Sequence, residues 1–362
     1  MREFTRAQED EERTTVNRFL TPLAAGFKLG LAIRRAAYRH GWFKTHRLNR
    51  PVVSVGNLTT GGTGKTPLVR YIAELLLKRG WKPSILTRGY GRRRGPHLIL
   101  LEPATARTAD PREVGDEPAL LARALPEVPI VVCADRFCAG CVAEIRCNVA
   151  VHILDDGFQH WALARDVDIV LLDVTQELSD QALLPAGRQR EPLSALGRAH
   201  IVVLTRTELG DPQPLESRVR QVNPKAAIFH ASTKLSEFVD INNGRVYPPT
   251  AFQAEPMHAF CGIGNPKAFF TDLRKWGIGL TAEDSFRDHH VYGGDEIGPI
   301  ITRAEASGAK AIVTTDKDAV NFTPMKRGPI PFLACIVKIE IHEAHEFENT
   351  LVSRLEGAEG KN

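Results

Sequence analysis

Pro51-Val-Val-Ser-Val55 is a short apolar, β-branched run that leads into Gly56-Asn-Leu-Thr-Thr-Gly-Gly-Thr-Gly-Lys-Thr66. Glycines at this density let backbone N–H groups turn inward around phosphate oxygens, and a helix opening behind the loop adds its partial positive charge. Lys65 would reach the β- and γ-phosphates of a nucleotide and Thr66 would bind Mg²⁺. The usual form of this loop has Gly five residues before Gly64, a position held here by Thr59. The string Thr59, Thr60, Gly61, Gly62, Thr63, Gly64, Lys65, Thr66 therefore draws its flexibility from Gly61 and Gly62.

A second group complements the first. Val149-Ala-Val-His-Ile-Leu154 reads as a buried strand ending in Asp155 and Asp156, where folds of this kind place a Mg²⁺ ligand. One carboxylate can hold the metal and the other its water shell. Transfer to an acceptor hydroxyl also needs a base, and Asp116, in Gly115-Asp-Glu-Pro118, and Asp288-His289-His290 offer the groups for it. Asp116 could instead cap a helix, and the histidines could be a structural pair. Basic residues recur at Arg88-Gly-Tyr-Gly-Arg92, Ala134-Asp-Arg136 and Arg188-Gln-Arg190-Glu191. Each fits a solvated loop, and together they suit a substrate with several anionic groups.

These residues need a sheet behind them. Strand-like runs are expected at 51–55, Ser84–Thr87, Ile130–Cys133, 149–154, Asp168–Asp173, His200–Thr205, Ala226–His230, His258–Cys261 and Ala311–Thr315, with helical stretches between several of them. The pattern predicts an α/β protein of the P-loop NTPase kind, with a mostly parallel, doubly wound sheet. A smaller second α/β unit is expected to begin in the Pro-rich stretch near 248–256. The expected organisation is an N-terminal amphipathic segment over 1–50, a P-loop core over 51–250, and a smaller unit over 251–362 that contributes to the active-site cleft.

The 362 residues carry a net charge of only +4, but from Thr14 to Ala73 there is no Asp or Glu and ten Lys or Arg. Within that stretch Phe19 to Phe43 reads as a helix whose Leu20, Leu23, Phe27, Leu31, Tyr38 and Trp42 share one arc, flanked by Lys28, Arg35 and Arg39 and interrupted by Arg34. Such a helix suits the surface of an anionic membrane; the alternative is a helix packed on its own domain with a solvated basic face. No stacking motif or recognition module accompanies the charge, so nucleic acid is not an expected partner. No apolar run is long enough to span a bilayer, and the acidic start at Glu9–Glu12 argues against a secretory signal. Cys133, Cys138, Cys141 and Cys147 lack zinc-finger spacing and read as small buried thiols, with a metal or redox site as the alternative.

A phosphate loop alone does not separate a kinase from a switch GTPase. A guanine-reading segment after a late strand has only approximate counterparts, Thr205-Arg-Thr-Glu208 and Thr315-Asp-Lys-Asp318. A soluble P-loop GTPase or ATPase acting as a switch or in cofactor delivery therefore remains the second reading.

Taken together, the motifs resemble the tetraacyldisaccharide 4′-kinase family. The matching stretches are Val55–Pro67, Thr87-Arg-Gly-Tyr-Gly-Arg92, Gly115–Pro118, Ala134–Arg136, Leu154-Asp-Asp-Gly-Phe-Gln-His160, Leu184-Pro-Ala-Gly187 with Arg190-Glu-Pro-Leu193, Phe260-Cys-Gly-Ile-Gly-Asn-Pro266, Asp288–His290 and Thr314-Thr-Asp-Lys-Asp318. They run in the family's order and cover Phe19 to Asn321, and the loop without its first Gly is the family's own form. Asp316, where the family more often has Glu, and the cysteines at 133, 138 and 141 depart from it.

The resemblance implies transfer of a phosphoryl group from ATP, with Mg²⁺, to the 4′-hydroxyl of a tetraacylated glucosamine disaccharide 1-phosphate. It implies peripheral attachment at the cytoplasmic face of an inner membrane, and no obligate protein partner is evident. It further implies that Asp116 takes the hydroxyl proton with His289 as its partner, in preference to His290. Arg136, Gln159, His160, Arg190 and Glu191 would recognise the disaccharide and its 1-phosphate.

Overall fold

The computed structural model describes residues 22–92, 95–176, 183–322 and 330–359. A helix over 22–39 (α1) precedes the first half of a sheet. That half comprises β1 (Val52–Asn57), α2 (Lys65–Lys78), β2 (Pro83–Thr87), β3 (Leu98–Leu101), α3 (Pro111–Val114), α4 (Asp116–Ala124), β4 (Ile130–Cys133), α5 (Arg136–Arg146), β5 (Val151–Asp155), β6 (Val167–Asp173), β7 (Ile201–Thr205), α6 (Gln213–Val222) and β8 (Ala227–Asp240). The second half comprises β9 (Val246–Tyr247), β10 (Pro256–Cys261), α7 (Pro266–Lys275), β11 (Gly279–Ser285), α8 (Gly294–Ala306), β12 (Ala311–Thr315), α9 (Asp316–Val320), β13 (Phe332–Ile341) and α10 (Ala344–Glu359).

The strands form one sheet in the order β11-β10-β12-β13-β8-β7-β6-β1-β5-β2-β4-β3, with β9 beside β8. Within each half the pairing is parallel, apart from the antiparallel edge strand β3 and the two-residue β9. The halves meet where β8 and β13 pair antiparallel, from Ala231↔Ile341 to Asp240↔Leu333. β8 extends ten residues beyond the run expected from sequence. Its first residues join β7 and its later ones join β13. The sheet therefore runs unbroken past the Pro-rich stretch.

The two faces of the first half are covered by separate apolar clusters. One packs Val53, Leu68, Ile72 and Ile153 with Phe347, Leu351 and Leu355 of α10, so the C-terminal helix returns to the first half. The other joins Phe158, Val170, Leu196 and Val219. Strands covered on both faces read as continuous apolar runs, which is why they were legible in the sequence.

The N-terminal helix stops earlier than its periodicity suggests, and Phe19 and Leu20 lie outside the described residues. Gly41, at φ 73°, lets Trp42 N–H reach Ala37 O and Gly41 N–H reach Tyr38 O, a Schellman closure that ends the helix at residue 39. The expected apolar arc also divides. Phe27, Leu31 and Tyr38 are half-buried, with Tyr38 stacked on Trp161, whereas Leu23, Leu29, Ile33, Trp42 and Phe43 are exposed. Among the described residues no helix is long and apolar enough to cross a membrane.

Candidate active site

The phosphate loop joins β1 to α2. Gly64 sits at φ 87°, a left-handed conformation that turns the chain into the first turn of α2, where Lys65 and Thr66 lie. Thr63 is buried and accepts a hydrogen bond from Asn57 Nδ2 at 2.9 Å. Thr59 pairs with Gln189 in an isolated antiparallel bridge, and Thr60 N–H donates to Arg188 O at 2.7 Å. The 188–190 segment thus runs alongside the loop and fixes its outer edge. Thr60, Gly61, Gly62, Thr63, Gly64, Lys65 and Thr66 line a cavity of about 460 Å³ that lies between the two halves of the sheet.

Asp155 ends β5 and is buried, accepting from Thr87 Oγ1 at 3.2 Å. Burial, reinforced by the charges of Glu117 and Asp156, pushes its carboxyl up to about 7. Asp156, at φ 51°, bonds Arg190 at 2.6 Å and lies 3.7 Å from Lys65 Nζ. Burial alone would raise its carboxyl, but Lys65 and Arg190 hold it below the usual carboxylate range. Buried Asp155 beside half-buried Asp156, whose buried Oδ1 lacks a hydrogen-bond donor, forms a donor set that a hard divalent cation would satisfy. The residues therefore fit Mg²⁺, for which Thr66 would supply the hydroxyl and Asp155 and Asp156 the carboxylates.

Across the cavity lies His289, with the Asp116 carboxylate behind it. Asp116 is the first residue of α4, buried, behind Gly115 at φ 99°. A Cβ at Gly115 would lie 2.7 Å from Tyr90 O, so the sharp entry that aims Asp116 into the site depends on glycine. Asp116 Oδ2 is 2.9 Å from His289 Nδ1, and Asn321 also bonds the carboxylate. Burial would raise the Asp116 carboxyl, but the bonds from His289 and Asn321 and the nearby charges of His289 and Lys317 outweigh it, leaving it below the usual range. The same bond raises the His289 imidazole, against burial and the charge of Lys317. His289 has a left-handed backbone, φ 61°, the kind of local strain that collects at working sites. His290 points elsewhere, to Glu296 at 2.9 Å, so the imidazole facing Asp116 is that of His289.

The residues expected to read the substrate do not all reach this cavity. Arg190 lines it. Gln159 and Glu191 line a separate cavity of about 470 Å³ against α1, together with Lys28, Arg34, Arg35, Arg39 and Trp161. Gln159 donates to Asn57 O at 2.9 Å, which ties this second cavity to the end of β1. Glu191 is buried against Arg198 at 2.6 Å. Arg136 is buried and folds back onto Cys133 O and Ala134 O, with Nε unpartnered. His160 is pushed down to about 4 by burial and by Arg136 and Arg165, so its ring is neutral at pH 7. Its carbonyl is held by Arg165.

Three contributors escaped the sequence reading. Lys317 stands 3.4 Å from His289 Nε2 and 3.1 Å from Asp288, and Asn321 bonds Asp116. Both follow β12, whose terminal motif signalled a site but not a role. Arg198 lies 3.6 Å over the Phe158 ring and 4.6 Å over Trp161, bracing the loop that carries Gln159 and His160. Within the same motif Asp318 is turned inward, bonding Gly262 N–H, Tyr292 Oη and Thr315, and so has no oxygen to spare for a guanine base. The cysteines are free thiols. Cys133 is buried, Cys138 exposed and the other two half-buried, and among the described residues no group of three or more His, Cys, Asp or Glu is gathered to hold a metal, at the cysteines or elsewhere.

Comparison with known proteins agrees with this geometry. The family model described as "Tetraacyldisaccharide-1-P 4'-kinase" matches residues 16–356. A tetraacyldisaccharide 4′-kinase of Geobacter metallireducens is 39% identical over 84% of this chain and 88% of its own length. One from Koribacter versatilis is 39% identical over 94% of this chain and 100% of its own length. Among solved structures, one described as LpxK from Aquifex aeolicus in complex with ATP superposes with a TM-score of 0.75 at 29% identity, covering 94% of this chain and 99% of that one. The chain belongs to the tetraacyldisaccharide-1-P 4′-kinase family.

Proposed function

We propose that this protein transfers the γ-phosphoryl group of ATP to the 4′-hydroxyl of a tetraacylated glucosamine disaccharide 1-phosphate. The observation that carries the reading is that His289, 2.9 Å from the Asp116 carboxylate, lines the same cavity as the phosphate loop. Lys65 and the loop amides hold the β- and γ-phosphates. Mg²⁺, when bound by Thr66, Asp155 and Asp156, neutralises charge on the transferred group. Asp116 orients the acceptor hydroxyl and receives its proton as the new P–O bond forms. A carboxylate suffices because the loose transition state needs orientation more than a strong base. Arg190, beside Asp156, would bind a phosphate oxygen, and the second cavity, lined by Gln159 and Glu191, would take the sugar and its 1-phosphate, with Arg136 and His160 acting only if their side chains turn toward it.

The acyl chains need a route from a membrane. The exposed Leu23, Leu29, Ile33, Trp42 and Phe43, on a helix segment that also exposes Lys28, Arg35 and Arg39 along the cavity of Gln159 and Glu191, support docking of this segment on an anionic lipid surface. We place the protein peripherally, at the cytoplasmic face of the inner membrane. The test is transfer of label from ATP to the acylated disaccharide monophosphate in detergent. Label on the lipid at its 4′ position is the expected result. Nucleotide hydrolysis without lipid labelling, or a preference for GTP, would sink the kinase reading in favour of a switch.

A further inference from the structure

We propose that Lys317 is a positioning residue that keeps the His289 imidazole in one tautomer, with the proton on Nδ1 toward Asp116 and the Nε2 lone pair toward the lysine. The inference rests on the Asp116–His289 reading above and adds to it the group that sets the pair's protonation.

Donors and acceptors around the ring fix the tautomer. An ammonium carries three donors and no lone pair. At 3.4 Å from Lys317 Nζ, His289 Nε2 can take part only as an acceptor. The proton of the neutral ring is then on Nδ1, which is 2.9 Å from Asp116 Oδ2 and donates to it. Asp116 stays an unprotonated carboxylate, able to take the acceptor's proton. A second proton on the ring would place Nε2–H against the ammonium, donor facing donor and charge facing charge.

The other groups around the ring can be named. From its own loop, Asp288 Oδ2 lies 3.9 Å from Nε2. From α4 comes Asp116, which Asn321 also holds. From the β2–β3 loop, Tyr90 stacks at 6.4 Å between centroids, with Arg88 5.7 Å over the Tyr90 ring. Asp288 is itself paired to Lys317 at 3.1 Å, so the two charges beside Nε2 oppose one another. Lysine is the nearer, and its effect on the ring is to lower it while that of Asp288 is to raise it. Loss of Lys317 removes a cation and also releases Asp288, and both changes favour the imidazolium. Loss of Asp288 leaves the lysine unopposed and favours the neutral ring. Opposite signs from the two oppositely charged neighbours are what charge control of the ring requires and what general disruption of the loop does not produce, and the Nε2 shift reports the tautomer itself.

The experiment uses the full-length enzyme with ¹⁵N-labelled histidine. The His289 ring is titrated by NMR without nucleotide, and kcat/KM is measured against pH, for Lys317→Met, Lys317→Arg and Asp288→Asn. In the parent enzyme the Nε2 shift should be that of an unprotonated nitrogen above the titration. Lys317→Met should move the midpoint up by about one unit, as expected for a charge at this distance in a half-exposed site. Asp288→Asn should move it down, and Lys317→Arg should leave it in place. The acid limb of kcat/KM should follow the same order, with the KM for ATP changing by less than about twofold. An Nε2–H tautomer in the parent, a fixed midpoint in Lys317→Met, or shifts of the same sign in Lys317→Met and Asp288→Asn would overturn the proposal. NMR shifts as expected with no movement of the rate profile would uphold the Lys317–His289 coupling and overturn the assignment of the pair to catalysis.

Discussion

Replacing Asp116 with Asn tests the site most directly, because the amide has the shape of the carboxylate and lacks its basicity. Asp116 is buried, with His289 Nδ1 2.9 Å from its Oδ2 and Asn321 also bonding the carboxylate. Both partners donate, and an amide offers one acceptor and one donor, so one of the two bonds becomes a donor–donor contact. That costs about 1–3 kcal/mol of stability and leaves the fold intact. Loss of a positioned base costs about 10²–10⁴ in turnover, equivalent to ~3–5 kcal/mol of barrier. The KM for ATP should not change, since Lys65 and the loop amides hold the nucleotide independently of Asp116.

The pH dependence has a definite sign. His289 is raised chiefly by its bond to Asp116, so the amide lets it fall, and the acid limb of the residual activity moves to lower pH. In stability terms, the raised His289 contributes below its unfolded value of about 6.5, and the contribution is lost as pH rises through its folded value. The lowered Asp116 contributes above its unfolded value of about 3.9, and that is lost as pH falls through its folded value. These are one interaction seen from either partner, so the difference in melting temperature between parent and Asp116→Asn is largest between about pH 4 and 6.5 and narrows above that window. Steady-state kinetics with the acylated disaccharide monophosphate, and thermal melts across pH 4–9, supply the data. Turnover within about tenfold of the parent, or an acid limb that stays put, would refute the reasoning.

Other substitutions probe separate parts of the structure. Gly115→Ala forces a Cβ at φ 99° to within 2.7 Å of Tyr90 O and should lower stability by about 1–3 kcal/mol in denaturant titration, with turnover falling further because Asp116 is displaced. Arg198→Ala removes the guanidinium from Phe158 and Trp161 and leaves Glu191 buried without its partner, so the KM for the lipid should rise while that for ATP is unchanged. Reversing Lys28, Arg35 and Arg39 to Glu should release the protein from anionic vesicles in a sedimentation assay, at about 1 kcal/mol per cation removed. Equal binding to neutral and anionic vesicles by the parent would refute the docking surface. Chelation of divalent cations should abolish transfer, and Asp155→Asn should raise the Mg²⁺ concentration needed for half-maximal rate by at least about tenfold.

Much of the first half was legible because its signals are local. A glycine-rich loop between an apolar run and a helix can hold phosphate wherever it occurs, so Gly56–Thr66 revealed its chemistry without tertiary information. Strands buried on both faces show as unbroken apolar runs, and β5, β7 and β12 were found within one or two residues of their observed bounds. β11 was missed because its burial alternates from exposed to half-buried, and the second part of β8 because one of its faces is wet.

The sequence by itself determined the phosphate loop, the carboxylates at the end of β5, most of the parallel strands as apolar runs and the basic N-terminal segment, since each depends on neighbours within about a dozen positions. Only the tertiary structure decided which imidazole meets Asp116, because 173 positions separate His289 from it and the antiparallel β8–β13 junction brings the two halves together. The same applies to Lys317 and Asn321, whose roles depend on distance across a cleft that no spacing along the chain encodes. It also decided how the N-terminal helix is turned. Periodicity placed Phe27, Leu31 and Tyr38 on one apolar face, but whether that face meets lipid or protein is set by what packs beside it, and Tyr38 packs on Trp161 of its own chain.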